Sequence, residues 1–311
     1  MTVIETENLT KDYGGGRGVF DLNLSVRAGE MFGFAGTNGA GKTTTIRLIM
    51  GFIRPTSGTA RVKGLDTWDD ASAIKRYIGY VPGEIAFPDL KNGTAFLRSQ
   101  AEFLGIKDLK RADELIARLQ LDPSADLRRM SKGMKQKTAL VAALMGDPEI
   151  ILLDEPTTGL DPLMRAAFID IVKEEHARGK TILMSSHMFE ELESACDRVA
   201  LIDRGRIADT ADVGRLRSRP ETEYKIEFQT EADYRTFKAG GYRILRDQPA
   251  FNQVIVRVPA AATERLLNDL AARQVRFIAE IPLSLERYFK EKLSAAGAAA
   301  KETQDDQQTA L

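Results

Sequence analysis

The chain has 311 residues, which is enough for one large domain and a smaller one. Its 44 basic and 45 acidic side chains give a net charge of −1, which argues against holding nucleic acid by bulk electrostatics. Cys196 is the only cysteine, so an internal disulfide is excluded. The start of the chain, MTVIETENLTKDY, has no apolar core, so we expect no signal peptide. The longest apolar run, residues 139–145, is far shorter than the roughly 18 residues that cross a bilayer.

The first two thirds of the sequence alternate between predicted strands and helices. FDLNLSV (20–26) alternates apolar and polar residues, which predicts a strand with one face in water. Continuous apolar runs predict three strands buried on both faces of a parallel sheet. They are MFGFAG (31–36), EIILLD (149–154) and KTILMSS (180–186), and helical spacing follows each at 43–50, 162–175 and 188–196. This order predicts an α/β core with functional residues at the strands' carboxyl ends.

Two regions depart from this alternation. Residues 84–130 carry the apolar spacing of amphipathic helices and are predicted to be a mostly helical insertion in a first domain, 1–218. From residue 219 onward, alternating strands and one helix predict a small accessory α+β domain over 219–293. The tail, 294–311, has no aromatic residue and little to bury, so we expect it to be disordered.

The segment GTNGAGKTT follows an apolar strand, precedes a helix and fits the G-x-x-x-x-G-K-[ST] pattern. Its glycines allow the backbone N–H groups to point at phosphate oxygens, and Lys42 adds a positive charge for the β and γ phosphates. The hydroxyl of Thr43 stands where Mg²⁺ can bind. The predicted nucleotide triphosphate loop consists of Gly36, Thr37, Asn38, Gly39, Ala40, Gly41, Lys42, Thr43 and Thr44.

Two further strand ends carry chemistry. Asp154 ends a buried strand and can hold Mg²⁺, while Glu155 can polarise a water for attack on the γ-phosphorus. The alternative is that both acids cap the next helix. His187 follows MSS at another strand end, where its ring can donate to a γ-phosphate oxygen, whereas His176 is expected to be structural. Tyr13 is an equal candidate for adenine stacking and for simple packing.

A second helix start also suits an anion. Ser131 and Gly133, in MSKGMKQK, precede a long apolar helix and present its N-terminus. The alternative is an ordinary N-cap followed by a core helix, which does not exclude an anion-binding role.

These motifs in this order resemble the ATP-binding subunits of ABC transporters over roughly residues 1–215. The resemblance implies an α/β, P-loop ATP-binding domain with an antiparallel β subdomain and a helical insertion. It also implies ATP and Mg²⁺ as cofactors and two subunits packed head to tail. The motifs that carry it are Tyr13, the 36–44 loop, SKGMKQ (131–136), ILLDEP (151–156), TTGLD (157–161) and SSH (185–187).

The resemblance assigns a role to each motif. Tyr13 would stack on adenine, the 36–44 loop would wrap the phosphates, and Thr43 with Asp154 would hold Mg²⁺. Glu155 would be the general base and His187 would contact the γ-phosphate.

Three more residues have roles between subunits. Ser131 and Gly133 would face the γ-phosphate of ATP held by the second subunit, which explains why one chain has two phosphate-facing helix starts. Asp161 would belong to the loop through which the two sites communicate.

Three departures from the family's pattern stand out. Gly83 occupies the position of a glutamine that touches Mg²⁺ and the attacking water, so Glu84 or a water would have to substitute. Lys132 replaces a glycine of the usual signature and adds a charge that favours phosphate. Thr37 stands where proline is common.

The resemblance also implies partners. In the family, the helical insertion docks a separate membrane-spanning permease subunit, and Phe87, Phe96 and Phe103 are candidates for that contact. The segment IPLSLERYFKEKL (281–293) resembles the end of ATPases that serve drug-resistance exporters. We therefore expect a peripheral subunit on the cytoplasmic face of the cell membrane that works in export, with no nucleic-acid partner.

Two other classes are weaker candidates. A soluble ABC-type ATPase acting on ribosomes or DNA usually carries two nucleotide domains or long coiled coils, whereas this chain has one motif set and no sustained heptads. A signalling GTPase needs an Asn-Lys-x-Asp motif, and no asparagine of this chain is followed by lysine.

Overall fold

The computed structural model of the protein describes residues 1–218 and 221–293. The strands that precede residue 219 are β1 Thr2–Asp12, β2 Gly18–Arg27, β3 Met31–Ala35, β4 Ser57–Val62, β5 Leu65–Asp66, β6 Ile78–Val81, β7 Ile150–Asp154, β8 Thr181–Ser186, β9 Arg198–Asp203 and β10 Arg206–Asp212. The helices are α1 Lys42–Ile49, α2 Ala71–Ile74, α3 Gly93–Leu104, α4 Lys110–Arg118, α5 Lys132–Leu144, α6 Pro162–Ala177, α7 Phe189–Ala195 and α8 Val213–Arg217.

A six-stranded sheet positions the functional residues. Within the described residues its order is β10-β9-β3-β8-β7-β6, and every neighbouring pair is parallel except β9 with β10. Each residue of β3, β7 and β8 is buried, which confirms the three strands predicted from apolar runs. Because Ala35 pairs with Ser186 and Asp154 with Ser185, the carboxyl ends of these three strands meet at one edge.

An antiparallel sheet with the order β2-β1-β4-β5 forms the second layer. In β2, buried Val19, Leu22, Leu24 and Val26 are interspersed with more exposed residues, as the alternating pattern predicts. Helix α1 and residues of both sheets share one hydrophobic core. The α/β fold with an antiparallel subdomain is confirmed.

The predicted insertion is less helical than expected. Within 84–130, helix is confined to α3 and α4, and the flanking segments are loops. Pro88 and Pro123 lie in those loops and cannot supply a backbone N–H. Asp122 and Asp126 accept hydrogen bonds from the backbone two residues on, a local turn that competes with helix.

The remaining elements are β11 Glu221–Phe228, α9 Glu231–Lys238, β12 Arg243–Gln248, β13 Gln253–Pro259, α10 Thr263–Ala271 and β14 Val275–Ile281, followed by helical residues 285–293. The four strands form an antiparallel sheet in the order β12-β13-β11-β14. Side chains of α9 and α10, such as Phe237 and Leu266, pack with strand residues in a separate core.

By its contacts the chain divides into two compact units. Among the described residues, one comprises Met1–Val213 together with residues 289–293, and the other comprises Gly214–Tyr288. The division into domains at 218/219 and 293 stays a prediction. The predicted disordered tail, 294–311, lies outside the described residues.

Candidate nucleotide site

The 36–44 loop is shaped by its glycines. Gly39 has φ of 82° and Gly41 has φ of 118°, a backbone region that side chains other than glycine rarely adopt. Gly41 is the N-cap of α1 and offers no side chain, and the first turn of α1 contains no acidic residue. The helix therefore presents unpaired N–H groups and the positive end of its dipole, which favour an anion.

Lys42 is held at the centre of this loop. Its side chain is 5% exposed, and its Nζ donates to the backbone oxygens of Gly36 at 2.7 Å and Thr37 at 3.1 Å. The same Nζ lies 3.1 Å from Oε1 of Glu155. The charge therefore sits inside the loop, beside Glu155, the residue that follows β7.

Asp154 is fully buried at the end of β7. Its Oδ1 accepts a hydrogen bond of 2.7 Å from the Ser185 hydroxyl on β8. Its Oδ2 is buried without a hydrogen-bond partner among the described residues. A buried carboxylate oxygen without a partner is costly, so this atom is suited to a cation.

Asp154 also acts on a neighbouring tyrosine. Burial, with the Asp154 charge adding to it and Arg47 opposing it, raises the pKa of Tyr80 on β6 to about 12. Tyr80 thus stays neutral beside the acid and adds no second negative charge.

Glu155 and His187 form a pair at adjacent strand ends. Nδ1 of His187 lies 2.6 Å from Oε2 of Glu155, and because a carboxylate only accepts, the proton of this bond belongs to the ring. The backbone N–H of Glu155 donates to the Ser185 hydroxyl at 3.0 Å. The Asp154 carboxylate accepts from Ser185, whereas the Glu155 carboxylate contacts Lys42 and His187. The two adjacent acids therefore face different surroundings, and neither caps a helix.

A cleft of about 480 Å³ joins several predicted residues. Tyr13, with a half-exposed side chain, lies in it together with the loop and Glu155. Its described lining comprises Tyr13, Gly16, Arg17, Gly18, Asn38, Gly39, Gly41, Lys42, Thr43, Thr44, Glu155 and Arg204. The predicted site residues outside that lining are Gly36, Thr37, Ala40, Ser131, Gly133, Asp154, Asp161 and His187.

The second helix start, α5, is built on its own contacts. Ser131 is the N-cap, and its hydroxyl accepts a hydrogen bond of 3.2 Å from the Met134 N–H. A Cβ on Gly133 would lie 2.7 Å from the Gly159 backbone oxygen, so only glycine allows this approach. Asp161 caps α6 by accepting from Met164 N–H at 2.9 Å. The signature segment, 131–136, therefore packs directly on the 157–161 loop.

Gly83 lies beside the metal-compatible oxygen. A Cβ at this position would be 3.1 Å from Asp154 Oδ2, which is tighter than an ordinary contact. Gly83 therefore lies directly against the Asp154 carboxylate, and a side chain at position 83 would fill the space beside Oδ2.

A second groove of about 300 Å³ lies between the helical insertion and the main sheet. Phe87, Phe96 and Phe103 all line it. The rings of Phe87 and Phe96 are 4.7 Å apart, and Phe103 is 85% exposed.

Glu191 on α7 was missed by sequence reasoning. It is buried, accepts from Thr157 Oγ1 at 3.0 Å and Ser186 Oγ at 2.9 Å, and lies 3.3 Å from Nε of Arg165. It ties the 157–161 loop to the end of β8. In the sequence FEELES it resembles a surface acid.

Among the described residues, none of the helices is both long and apolar enough to cross a membrane.

The parallel sheet, the glycine-rich loop at the start of α1 and the two acids ending β7 define a P-loop nucleoside triphosphatase.

Comparison with known proteins identifies the family. The family model described as ABC transporter matches residues 19–158. The chain is 36% identical over 239 residues to the bacitracin transport ATP-binding protein BcrA of Bacillus licheniformis, covering 74% of this chain and 77% of that protein. It is 38% identical to the daunorubicin/doxorubicin resistance ATP-binding protein DrrA of Streptomyces peucetius, over 69% of this chain and 67% of that one. A structure described as the ATP binding subunit of an ABC transporter superposes with a TM-score of 0.63 at 30% identity, over 69% of this chain and 92% of that chain. The protein belongs to the family of ABC transporter ATP-binding subunits, and it is an ATPase.

Proposed function

We propose that this protein is the ATP-hydrolysing motor subunit of an exporter. It closes head to tail with a second copy and drives a separate transmembrane permease at the cytoplasmic face of the membrane. The observation that carries the proposal is the meeting of Lys42, Asp154, Glu155 and His187 at one sheet edge, in a chain that has a second helix start capped by Ser131. The N-terminus of α5 is a second anion-binding helix start, and in this proposal it serves the nucleotide held by the partner copy.

The residues divide the work as follows. Tyr13 stacks on adenine, and the Gly36–Thr44 loop, through its N–H groups and Lys42, holds the phosphates. Thr43 and the unpartnered oxygen of Asp154 hold Mg²⁺, which neutralises charge on the phosphates when bound.

The remaining groups act on water and the γ-phosphate. Glu155 accepts the proton of the attacking water, and His187, held by its hydrogen bond to Glu155, faces the γ-phosphate. The contact of Gly133 with the 157–161 loop links the α5 start, offered to the partner's nucleotide, to Asp161.

Export is proposed from the relatives, two of which are named for bacitracin transport and for daunorubicin/doxorubicin resistance. The groove lined by Phe87, Phe96 and Phe103 offers exposed apolar surface to a short permease helix. ATP drives the permease by binding the closed dimer better than the open one.

The first test is Glu155→Gln, which keeps shape and removes the base. We expect ATP binding to remain, turnover to fall by at least about a hundredfold and an ATP-dependent dimer to accumulate in size-exclusion chromatography with light scattering. Glu149→Gln, an exposed acid just before the same strand, is the control and should behave as wild type. Wild-type turnover by Glu155→Gln would refute the assignment.

The second test mixes two inactive variants, Lys42→Ala and Ser131→Arg. In a head-to-tail pair, each site combines the phosphate loop of one copy with the α5 start of the other. A mixed pair therefore has both substitutions in one site and neither in the other, so mixing should restore activity. If each chain completes its own site, mixing restores none.

A further inference from the structure

We propose that Arg17 and Arg204 form a pair of nucleotide-binding residues that grip the α-phosphate. Both line the cleft together with Tyr13 and the phosphate loop. They come from the loop before β2 and from the turn between β9 and β10, which are far apart in the sequence. The inference rests on the proposed ATP site and adds two residues to it.

The backbone beside each arginine contacts the phosphate loop. Next to Arg204, the Gly205 N–H donates to the Ala40 oxygen at 2.9 Å, and the Gly205 oxygen accepts from Phe20 N–H at 2.8 Å. A Cβ on Gly205 would lie 2.4 Å from the Gly18 oxygen, so the turn and the Arg17–Gly18 segment touch.

The Arg17 side of this arrangement is fastened as well. A Cβ on Gly41 would lie 2.7 Å from the Val19 side chain and 3.4 Å from the Gly18 oxygen. The Arg17 backbone closes a small loop, since its oxygen accepts from Tyr13 N–H at 2.9 Å and its N–H donates to Gly14 at 3.3 Å. The loop of residues 13–17 thus contains both Tyr13, the candidate for adenine stacking, and the cationic Arg17.

Both guanidinium groups are available to a ligand. Among the residues that the structure describes, no ion pair or side-chain hydrogen bond engages Arg17. Arg204 is 93% exposed and has only Asp203, with Nε 3.8 Å from Oδ2. Guanidinium groups only donate, and phosphate oxygens are their preferred acceptors.

The order of the cleft residues selects the α-phosphate. Lys42 and Thr43 stand at the start of α1, where the β and γ phosphates are proposed to lie. Tyr13 marks the adenine end, and the Arg17–Gly18 segment joins Tyr13 to the strand that packs on Gly41. Arg17 on this connecting segment, and Arg204 on the turn that touches it, face the part of the nucleotide between base and β-phosphate.

The test measures affinities in EDTA, by competition with a fluorescent ATP analogue, for ATP, ADP, AMP and adenosine. Arg17→Ala and Arg204→Ala should each weaken binding of all three phosphorylated ligands, by about tenfold, and leave adenosine unchanged. Arg17→Lys should recover part of the loss. Arg206→Ala is the matched control, because Arg206 begins β10 directly after this turn but lies outside the cleft lining and over the Phe20 ring.

Each result has a distinct meaning. Unchanged ATP and ADP affinity in a variant that carries both Arg17→Ala and Arg204→Ala, or an equal loss for adenosine, overturns the α-phosphate assignment while the ATP site stands. Failure of the wild-type chain to bind ATP overturns the proposed function itself.

Discussion

The ammonium of Lys42 and the carboxylate of Glu155 form an ion pair inside the cleft, with Nζ 3.1 Å from Oε1. The other oxygen of Glu155 holds His187. In this arrangement the proposed phosphate ligand and the proposed general base neutralise each other. A phosphate that binds Lys42 must break this ion pair, and the Glu155 carboxylate is then able to accept a proton from water.

The first prediction follows from this competition. Glu155→Gln removes the anion that competes for Lys42 and that repels the γ-phosphate, so ATP should bind more tightly in EDTA. We expect a gain of roughly fivefold, equivalent to about 1 kcal/mol. Isothermal titration calorimetry measures it, with Glu149→Gln as control. Weaker binding by Glu155→Gln would contradict the competition.

The second prediction concerns Gly83. Gly83→Ala adds a Cβ that meets Asp154 Oδ2 at 3.1 Å, and Mg²⁺ demands nearly ideal octahedral geometry. The Mg²⁺ concentration that supports half-maximal ATPase activity should rise, by roughly threefold or more, and ATP affinity in EDTA should not change. Gly146→Ala, whose added Cβ makes only ordinary contacts of 3.4 and 3.5 Å, is the control. An unchanged Mg²⁺ requirement would show that the space beside Asp154 has no bearing on the metal.

The sequence predicts what is local and leaves out what depends on distant pairs. The phosphate loop was predictable because its glycines, lysine and threonine are contiguous and the flanking apolar strand is unmistakable. Asp154 and Glu155 were predictable as strand-end acids. The hydrogen bond from Ser185 that orients Asp154 joins residues 31 positions apart, and no spacing rule reveals it.

Burial of charge was the main feature that sequence patterns could not reveal. Glu191 and Glu175 lie on helices in charged segments, yet both are buried because arginines and hydroxyl groups from other elements pair with them. Helical content of the 84–130 insertion was overpredicted, because its apolar spacing extends into loops fixed by prolines and aspartates.

The third prediction concerns the ion pairs of Glu175 on α6. Arg111 on α4 pairs with this 4%-exposed carboxylate and donates to the Leu144 oxygen at the end of α5. Arg111→Ala leaves a buried charge whose only partner among the described residues is Arg178, and it should reduce the free energy of unfolding by about 2 kcal/mol, measured by urea denaturation.

A matched control lies on the same helices. Arg118 on α4 pairs with Glu174 on α6, and both side chains are largely exposed. Arg118→Ala should leave the urea midpoint unchanged, because exposed ion pairs contribute little. Equal midpoints for Arg111→Ala and wild type would mean that the Arg111–Glu175 pair does not join α4 to α6 energetically.

The fourth prediction uses the only cysteine as a probe of unfolding. Cys196 directly follows α7 and is buried against β3, where its sulfur would be 3.0 Å from a Cβ on Gly33. Burial, with the Asp197 charge adding to it, raises the pKa of the thiol far above its ordinary value. Because the thiolate is the reactive form, labelling by a disulfide reagent at pH 8 should be slower in the native chain than in urea, by at least about a hundredfold. An exposed thiol two residues away, made by Ser194→Cys in a Cys196→Ser background, should react at nearly the unfolded rate. If native Cys196 reacts as fast as that variant, helix α7 opens far more often than its packing implies. The contacts of Glu191, which lies on the same helix, then cannot hold the 157–161 loop in place.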